Sequence, residues 1–507
     1  MTLKDEIGQH FLVDFSGHEI TLEVERLVRE GRIGGLILFA KNIRSASQVR
    51  ALTADLQRLA SAAGLPPLFI SIDQEGGMVN RLTEDVTEFP GPMAIAAAGR
   101  IEDAAAAGGM TALELRALGI NVNHAPVLDV NTQTANPIIG VRAFSDDPGT
   151  VARLGSAYVA AAKDARILAT PKHFPGHGAT VVDSHLDLPR VDKDSARLRQ
   201  EDIEPFAASV AAGADGLLTA HVVYPELDPY LPATLSPAIV TTLLRGELGF
   251  GGVAFTDSMD MKAISARWGR GPAATAALAA GVDVIMACGP AAAQWESIAA
   301  AQAAVESGVL DAAALRRSAA RIAEVKARYA ATAISPAPFV RAAHEAAAQD
   351  IADRAATLVR NDAGMIPLRG GRTAVLHVGS DAWVTAPARL GEELAALVPG
   401  VTAVAGASEV SGRAWDAVVV VSFSWRSYEG TATVAALHRE FGDRLIVVGA
   451  GNPYELLRFP EVPAYLAAYG PDPPSMRAAA KVLAGRLEPR GRLPVALSPI
   501  YQRGHSA

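Results

Sequence analysis

Eight short apolar runs, separated by longer stretches of helical character, constrain this chain more than any other feature. They are HFLVDF (10–15), GLILF (35–39), LFISI (68–72), INVNHAPV (120–127), ILATPKH (167–173), DGLLTAH (215–221), GVAFTD (252–257) and VDVIMA (282–287). Runs that are apolar throughout, rather than alternating, belong in a parallel sheet covered on both faces. Between them the pattern turns helical. In SASQVRALTADLQRLASAA (45–63) Ser45 is placed to cap a helix with leucines at helical spacing, and Gly281 stands where a helix should end. Eight such strand–helix units in just over three hundred residues predict a (β/α)8 TIM-type barrel rather than an open sheet.

The full length of 507 residues exceeds what one hydrophobic core organises, so a second domain is expected. ISPAPF (334–339), with two prolines, reads as the junction. The barrel is therefore assigned to residues 1–335, and a linker helix with a smaller C-terminal α/β-sandwich to residues 336–507. In that part AVLHVGS, AVVVVSF, RLIVVGAGNP and AYLAAYG read as strands. GAGNP (449–453) has a superficial likeness to a nucleotide loop. It lacks the spacing of GxGxxG or of a P-loop, and Pro453 occupies the position where a phosphate-binding helix should begin.

Charge and composition remove several functions. A net charge of −8 offers no footprint for a polyanion, so no nucleic-acid partner is expected. No apolar run reaches the ~18 residues of a membrane span, and Asp5 and Glu6 fall where a secretion signal would be basic and then apolar. Cys288 is the single cysteine, which excludes an internal disulfide and fits a reducing compartment. A soluble, cytoplasmic protein without membrane association or cofactor is the expectation.

Catalytic groups of a barrel project from the C-terminal ends of its strands and the loops beyond. Here those ends carry Asp73, Lys172, His173, His221 and Asp257, and the loops add Arg81 and Arg142. A lone strand-end carboxylate is often only a helix cap, and Arg142 has Asp146 and Asp147 nearby as surface partners. Unrelated caps would not all fall on one rim, however. The loop after the fifth run, KHFPGHGATVVDSHLDLP (172–189), holds three histidines beside two aspartates on a backbone broken by two prolines and two glycines.

With these residues in view the chain resembles glycoside hydrolase family 3, in particular its β-N-acetylglucosaminidase branch. The motifs are IDQEGGMVNRL (72–82), NHAPVLDV (123–130), KHFPGHGATVVDSHLDLP and FTDSMDM (255–261), which thread nearly the whole barrel region. LVRNDAGMIPL (358–368) and RGRLPVAL (490–497) resemble, more loosely, the C-terminal sandwich of longer members. The resemblance implies that Asp257 is the nucleophile, His185 the acid/base and Asp183 the residue that orients it. It implies that Asp73, Arg81, Arg142, Lys172 and His173 hold the sugar. Met78, where bacterial members often have arginine, is expected beside the pocket.

The residue types suit retaining hydrolysis. A carboxylate attacks the anomeric carbon, and a second group gives and then takes back a proton. Imidazole titrates near ~6.5, so it can do this near neutrality without the burial a glutamic acid requires. A carboxylate on its other nitrogen fixes the tautomer and favours the charged ring. PGHG is expected to make the loop mobile. Metal binding by His173 and His177 is disfavoured because Pro175 and Gly176 break any shared helical face. His177 is as well explained by a structural hydrogen bond, and so is His221. Among other carboxylates, Asp129 fits a turn or cap, Asp260 fits the start of the next helix, and Glu75 is expected to turn away from Asp73. The reading is a retaining exo-β-N-acetylglucosaminidase acting on N-acetylglucosaminides such as peptidoglycan fragments. Phosphorolysis, β-glucosidase activity on the same scaffold and a catalytically silent sugar-binding protein are the alternatives.

Overall fold

A computed structural model of the chain describes residues 2–330, 340–379, 385–423 and 428–507; the junction expected at 334–339 lies outside them. Each of the eight apolar runs forms a parallel strand. They are β1 (Phe11–Val13), β2 (Gly35–Leu38), β3 (Phe69–Ile72), β4 (Val122–Asn123), β5 (Leu168–Ala169) and β6 (Gly216–Thr219), then β9 (Val253–Thr256) and β10 (Ile285–Ala287) after a hairpin. That hairpin, β7 (Val223–Tyr224) with β8 (Asp228–Pro232), was not expected from the sequence. Its charged and proline-bearing segment DPYLP is a short, largely exposed strand without an apolar run.

Six of the strands form one sheet in the order β10-β1-β2-β3-β4-β5, and β6 pairs with β9 in another. Parallel bridges Phe174–Thr219 and Phe255–Val284 link the two sheets at both edges. Every one of these strands sends a side chain into a shared apolar cluster, including Leu12, Ile37, Phe69, Val122, Leu168, Leu218, Phe255 and Met286. Ile322, Val325 and Tyr329, from helix Ala312–Tyr329, pack into the same cluster. Loops therefore carry the polar groups at the strand ends, because the interior is filled with apolar side chains. The helices begin and end as their caps require. Ser45 accepts from the Gln48 amide to open helix Ala46–Ala62, Asp147 opens Pro148–Asp164 with proline in its first turn, and Gly281 ends Arg270–Ala280 at φ 101°.

Beyond residue 340 a helix, Arg341–Ala355, leads to a second six-stranded sheet of β11 (Thr357–Asn361), β12 (Thr373–Gly379), β13 (Val401–Ala403), β14 (Ala417–Phe423), β15 (Leu445–Gly449) and β16 (Ala464–Ala467). Its order is β11-β16-β15-β14-β12-β13, parallel except for β11. Its core is not self-contained. Met78, Val79, Met93, Ala94, Ala97 and Val141 from the first part belong to the same buried cluster as β14 and β15. Arg354 pairs with Asp103, and the His344 ring with Glu114, across the same boundary. Among the described residues no helix is long and apolar enough to cross a membrane.

Candidate active site

The register of adjacent strands decides which distant residues meet. Val127 bridges to Lys172 beside the β4–β5 pairing, so the segment after β4 runs alongside KHFPGHG. Thr219 pairs with Thr256, and the Asp257 amide donates to the Thr219 carbonyl at 3.3 Å, which seats Asp257 at the end of β9. The result is one cleft at the strand ends, composed of two connected hollows. Asp73, Arg81, Lys172, His173, His185 and Asp257 line both, and Glu75, Met78, Ile138, Ile139, Arg142 and His177 complete the first.

Seven of the eight site residues expected from the sequence therefore share this cleft. The eighth, Asp183, stands behind His185. Its Oδ1 accepts from the His185 backbone amide at 2.9 Å and lies 2.8 Å from the ring Nδ1, so Nδ1 carries the proton and Nε2 is the nitrogen left to exchange one. Asp183 is buried while the His185 side chain is 47% exposed, which makes the ring accessible and its orienting partner fixed.

Asp257 has its Oδ1 capped by the Ser258 amide at 2.7 Å, and its Oδ2 is 4.0 Å from Nε2 of His173. Burial raises its carboxyl, but the rings of His173, His221 and His185 and the Ser258 amide outweigh that, so it lies below the ordinary carboxylate range. It is an anion at neutral pH. His173 is held from the other side by Asp129, whose Oδ2 is 2.7 Å from Nδ1. Asp129 also accepts from the amides of His173 and His177. The turn or cap role expected for Asp129 is thus too modest, because its principal partner is a ring 44 residues away that no local pattern reveals.

Glu75 corrects a second expectation. It does not turn away from Asp73: Lys172 Nζ lies 2.8 Å from Asp73 and 2.6 Å from Glu75, joining the two carboxylates. Glu75 also receives both Nε and Nη2 of Arg142, at 2.9 and 2.8 Å, so Arg142 is not paired with Asp146 or Asp147. Those two aspartates instead meet Arg503. Arg81 closes the cluster against Asp73 at 3.4 Å. Burial raises the Asp73 carboxyl, yet Lys172 and Arg81 hold it well below the usual range, and Lys172 is in turn pushed up. The tight turn that EGG makes is real, with Gly76 at φ 93° and Gly77 at φ 58°, but it delivers Glu75 inward.

PGHG corrects a third. Its His177 is buried with Nδ1 2.8 Å from Thr180 Oγ1 and Nε2 3.0 Å from Ser184 Oγ, and burial lowers the ring to about 4. A side chain at Gly178 would collide with the Val130 carbonyl. This part of the loop is packed, and the exposed residues are Val181, Val182 and those around His185 and Leu186. His177 takes the structural role left open for it. His221 does likewise, bonded to Thr234 Oγ1 and the Ser258 carbonyl. Asp260 does not open a helix; it pairs with Arg270 and lies before helix Lys262–Trp268.

The buried cluster has a measurable consequence for stability. Burial raises the Glu75 carboxyl, Arg142 and Lys172 lower it, and the net value is about 2 against an ordinary 4.5. A lowered native value stabilises the fold above pH ~4.5, and this contribution disappears as pH falls through about 2. At ~1.4 kcal/mol per tenfold in proton affinity it amounts to about 3 kcal/mol. Glu75→Gln is expected to weaken the fold by ~3 kcal/mol or more at neutral pH, since two buried cations lose a partner. Its stability should then fall less steeply in acid than the parent's, with Asp73 sustaining the remaining slope. Urea unfolding followed from pH 7 to 2 measures both, and identical acid slopes would exclude the Glu75 contribution.

Residues 2–325 match the N-terminal domain of glycosyl hydrolase family 3, and the chain belongs to that family. Beta-hexosaminidase A of Pseudoalteromonas piscicida is 40% identical over 383 residues, 70% of this chain and 63% of that protein, so the chain spans less than two thirds of that relative. A beta-hexosaminidase of Alkalilimnicola ehrlichii is 38% identical over 283 residues, 55% of this chain and 80% of that protein. Among solved structures, a glycoside hydrolase family 3 beta-N-acetylglucosaminidase from Paenibacillus sp. str. FPU-7 superposes with a TM-score of 0.91 at 38% identity. That likeness covers 98% of this chain and 99% of the other.

Proposed function

We propose that the protein is a retaining exo-acting β-N-acetylglucosaminidase that releases terminal N-acetylglucosamine. The observation that carries this reading is the placement of one anionic carboxylate, Asp257, and one accessible Asp-oriented imidazole, His185, in the same cleft as the Asp73–Arg81–Lys172–Arg142 cluster. In the first step an Asp257 oxygen bonds to the anomeric carbon. The bond to the leaving oxygen breaks, and that oxygen takes the proton from Nε2 of His185. In the second step Nε2 removes a proton from water as the water oxygen displaces Asp257 from the sugar. Asp183 holds the ring throughout. Lys172, Arg81 and Arg142, already oriented by Asp73 and Glu75, donate to sugar oxygens, and His173 completes the recognition.

The eight parallel strands are read as a (β/α)8 barrel, which the linking bridges and the shared interior cluster support. The barrel is assigned to residues 1–335 and the sandwich domain to 336–507. Peptidoglycan fragments in the cytoplasm are the proposed setting, in keeping with a single buried Cys288.

Turnover of a 4-nitrophenyl N-acetylglucosaminide and of the matching glucoside, each with and without phosphate, tests the proposal. The N-acetylglucosaminide is expected to react faster, with free sugar as product and no phosphate dependence. A preference for glucoside, or accumulation of sugar 1-phosphate, would replace the reading with one of its alternatives.

A further inference from the structure

GAGNP (449–453) follows β15 without the spacing of a nucleotide loop, and its purpose becomes visible in its contacts. The turn after it is anchored to the second sheet by Glu455, which is fully buried and accepts from Ser422 of β14 at 2.8 Å and from Tyr465 of β16 at 3.0 Å. From that anchor two buried side chains reach the loop between β4 and helix Pro148–Asp164. Asn452 Oδ1 accepts from the Val141 amide at 2.7 Å, and Tyr454 Oη lies 3.0 Å from Asn131 Nδ2. Asn131 in turn accepts from the Gly140 amide at 3.1 Å. Gly140 has φ 49°, and a side chain there would collide with Asn452, so the close approach depends on glycine.

Val141 immediately precedes Arg142, and Gly140–Arg142 form a single tight turn. Arg142 gives one N–H to the Ile138 carbonyl of the same loop and two to Glu75. Ile138 and Ile139 line the cleft beside it. The turn bearing Arg142 is therefore held from two directions. Glu75 grips the guanidinium from the β3 side, and Asn452 grips the backbone from the second sheet.

We infer that Asn452, supported by Tyr454, is a positioning residue for sugar binding, and that through it the C-terminal part of the chain sets the affinity of the cleft. Neither residue touches the cleft; both act on it through Arg142. The inference rests on the proposed role of Arg142 in holding the sugar. A displaced guanidinium weakens ground-state and transition-state contacts alike, so the effect belongs in KM rather than kcat.

A double-mutant cycle between residues 452 and 142 tests this, with 4-nitrophenyl N-acetylglucosaminide as substrate. Asn452→Ala is expected to raise KM about tenfold with kcat nearly unchanged, and Tyr454→Phe to raise it about threefold. In an Arg142→Ala background Asn452→Ala should add nothing, because the group it positions is gone. Asn452→Asp keeps an acceptor for the Val141 amide and should return KM toward the parent value. Arg354→Ala, which cuts the ion pair with Asp103 at another contact between the two parts, should lower Tm without moving KM. If Asn452→Ala does not fold, Tyr454→Phe carries the same cycle. Equal KM increases in both Arg142 backgrounds would overturn the inference, as would an unchanged KM in Asn452→Ala when Arg142→Ala raises it. An unchanged KM in Arg142→Ala itself would overturn the sugar-binding role of Arg142, and the inference with it.

Discussion

Asp257→Ala is expected to fold like the parent and to lose turnover of aryl N-acetylglucosaminides by a factor on the order of 10⁴–10⁶, the range seen when a covalent nucleophile is removed. The fold should survive because little depends on this carboxylate. Its side chain is 23% exposed, its nearest ionisable neighbour is the His173 ring at 4.0 Å, and its hydrogen bond is to the amide of the next residue. The backbone bond that fixes the end of β9, from the Asp257 amide to Thr219, does not need the side chain. The surrounding rings and the Ser258 amide hold this carboxyl below the ordinary range, so the anion contributes modestly to the fold at neutral pH and a slightly lowered Tm is expected. An N-acetylglucosaminide fluorinated at C5, with a good leaving group, keeps the 2-acetamido group and slows both displacements, and where the second is slowed more the covalent ester should accumulate on Asp257. Peptide mass spectrometry locates it. Label on Asp73 or Glu75 would remove Asp257 from the role, as would turnover in Asp257→Ala within tenfold of the parent.

How much of this was legible beforehand follows from the range of each interaction. The eight strands could be read because an interior strand is a continuous apolar run, and VAFT or GLLT declares itself without reference to anything distant. β13, whose VTA is partly exposed at a sheet edge, carries no such run. The same division holds at the cleft. Asp183 and His185 are two residues apart, so their pairing could be proposed from a tripeptide. Asp129 and His173 are brought together only by the β4–β5 register, and Glu75 and Arg142 only by two loops from different strands. The inward direction of Glu75 depends on two successive positive-φ glycines, whose sense of turn a sequence does not announce. Asn452 was the least accessible. Its partner is a backbone amide 311 residues away, and a backbone group has no residue type to recognise.

His185→Ala is expected to separate substrates by their leaving group. Nitrophenolate departs without a proton, so formation of the glycosyl ester from aryl substrates should slow only mildly. A sugar leaving group must be protonated as it goes, and there the loss should reach the ~10²–10⁴ of general acid catalysis. The structure makes the histidine dispensable to the fold: its ring is half exposed and is held by Asp183. Asp183→Ala should show the same ranking more weakly, since the ring remains while its tautomer and orientation are released. In His185→Ala the ester on Asp257 forms from aryl substrates but waits for water that no base activates. Azide needs no base, and its addition should restore aryl turnover and yield the β-glycosyl azide, the configuration that two successive inversions require. Equal slowing of aryl and natural substrates, with no response to azide, would reduce His185 to a structural residue and make Glu75 the next carboxyl to examine. Glu75 starts at a disadvantage in that role. With its carboxyl drawn down to about 2 by Arg142 and Lys172, it has no proton to give at neutral pH.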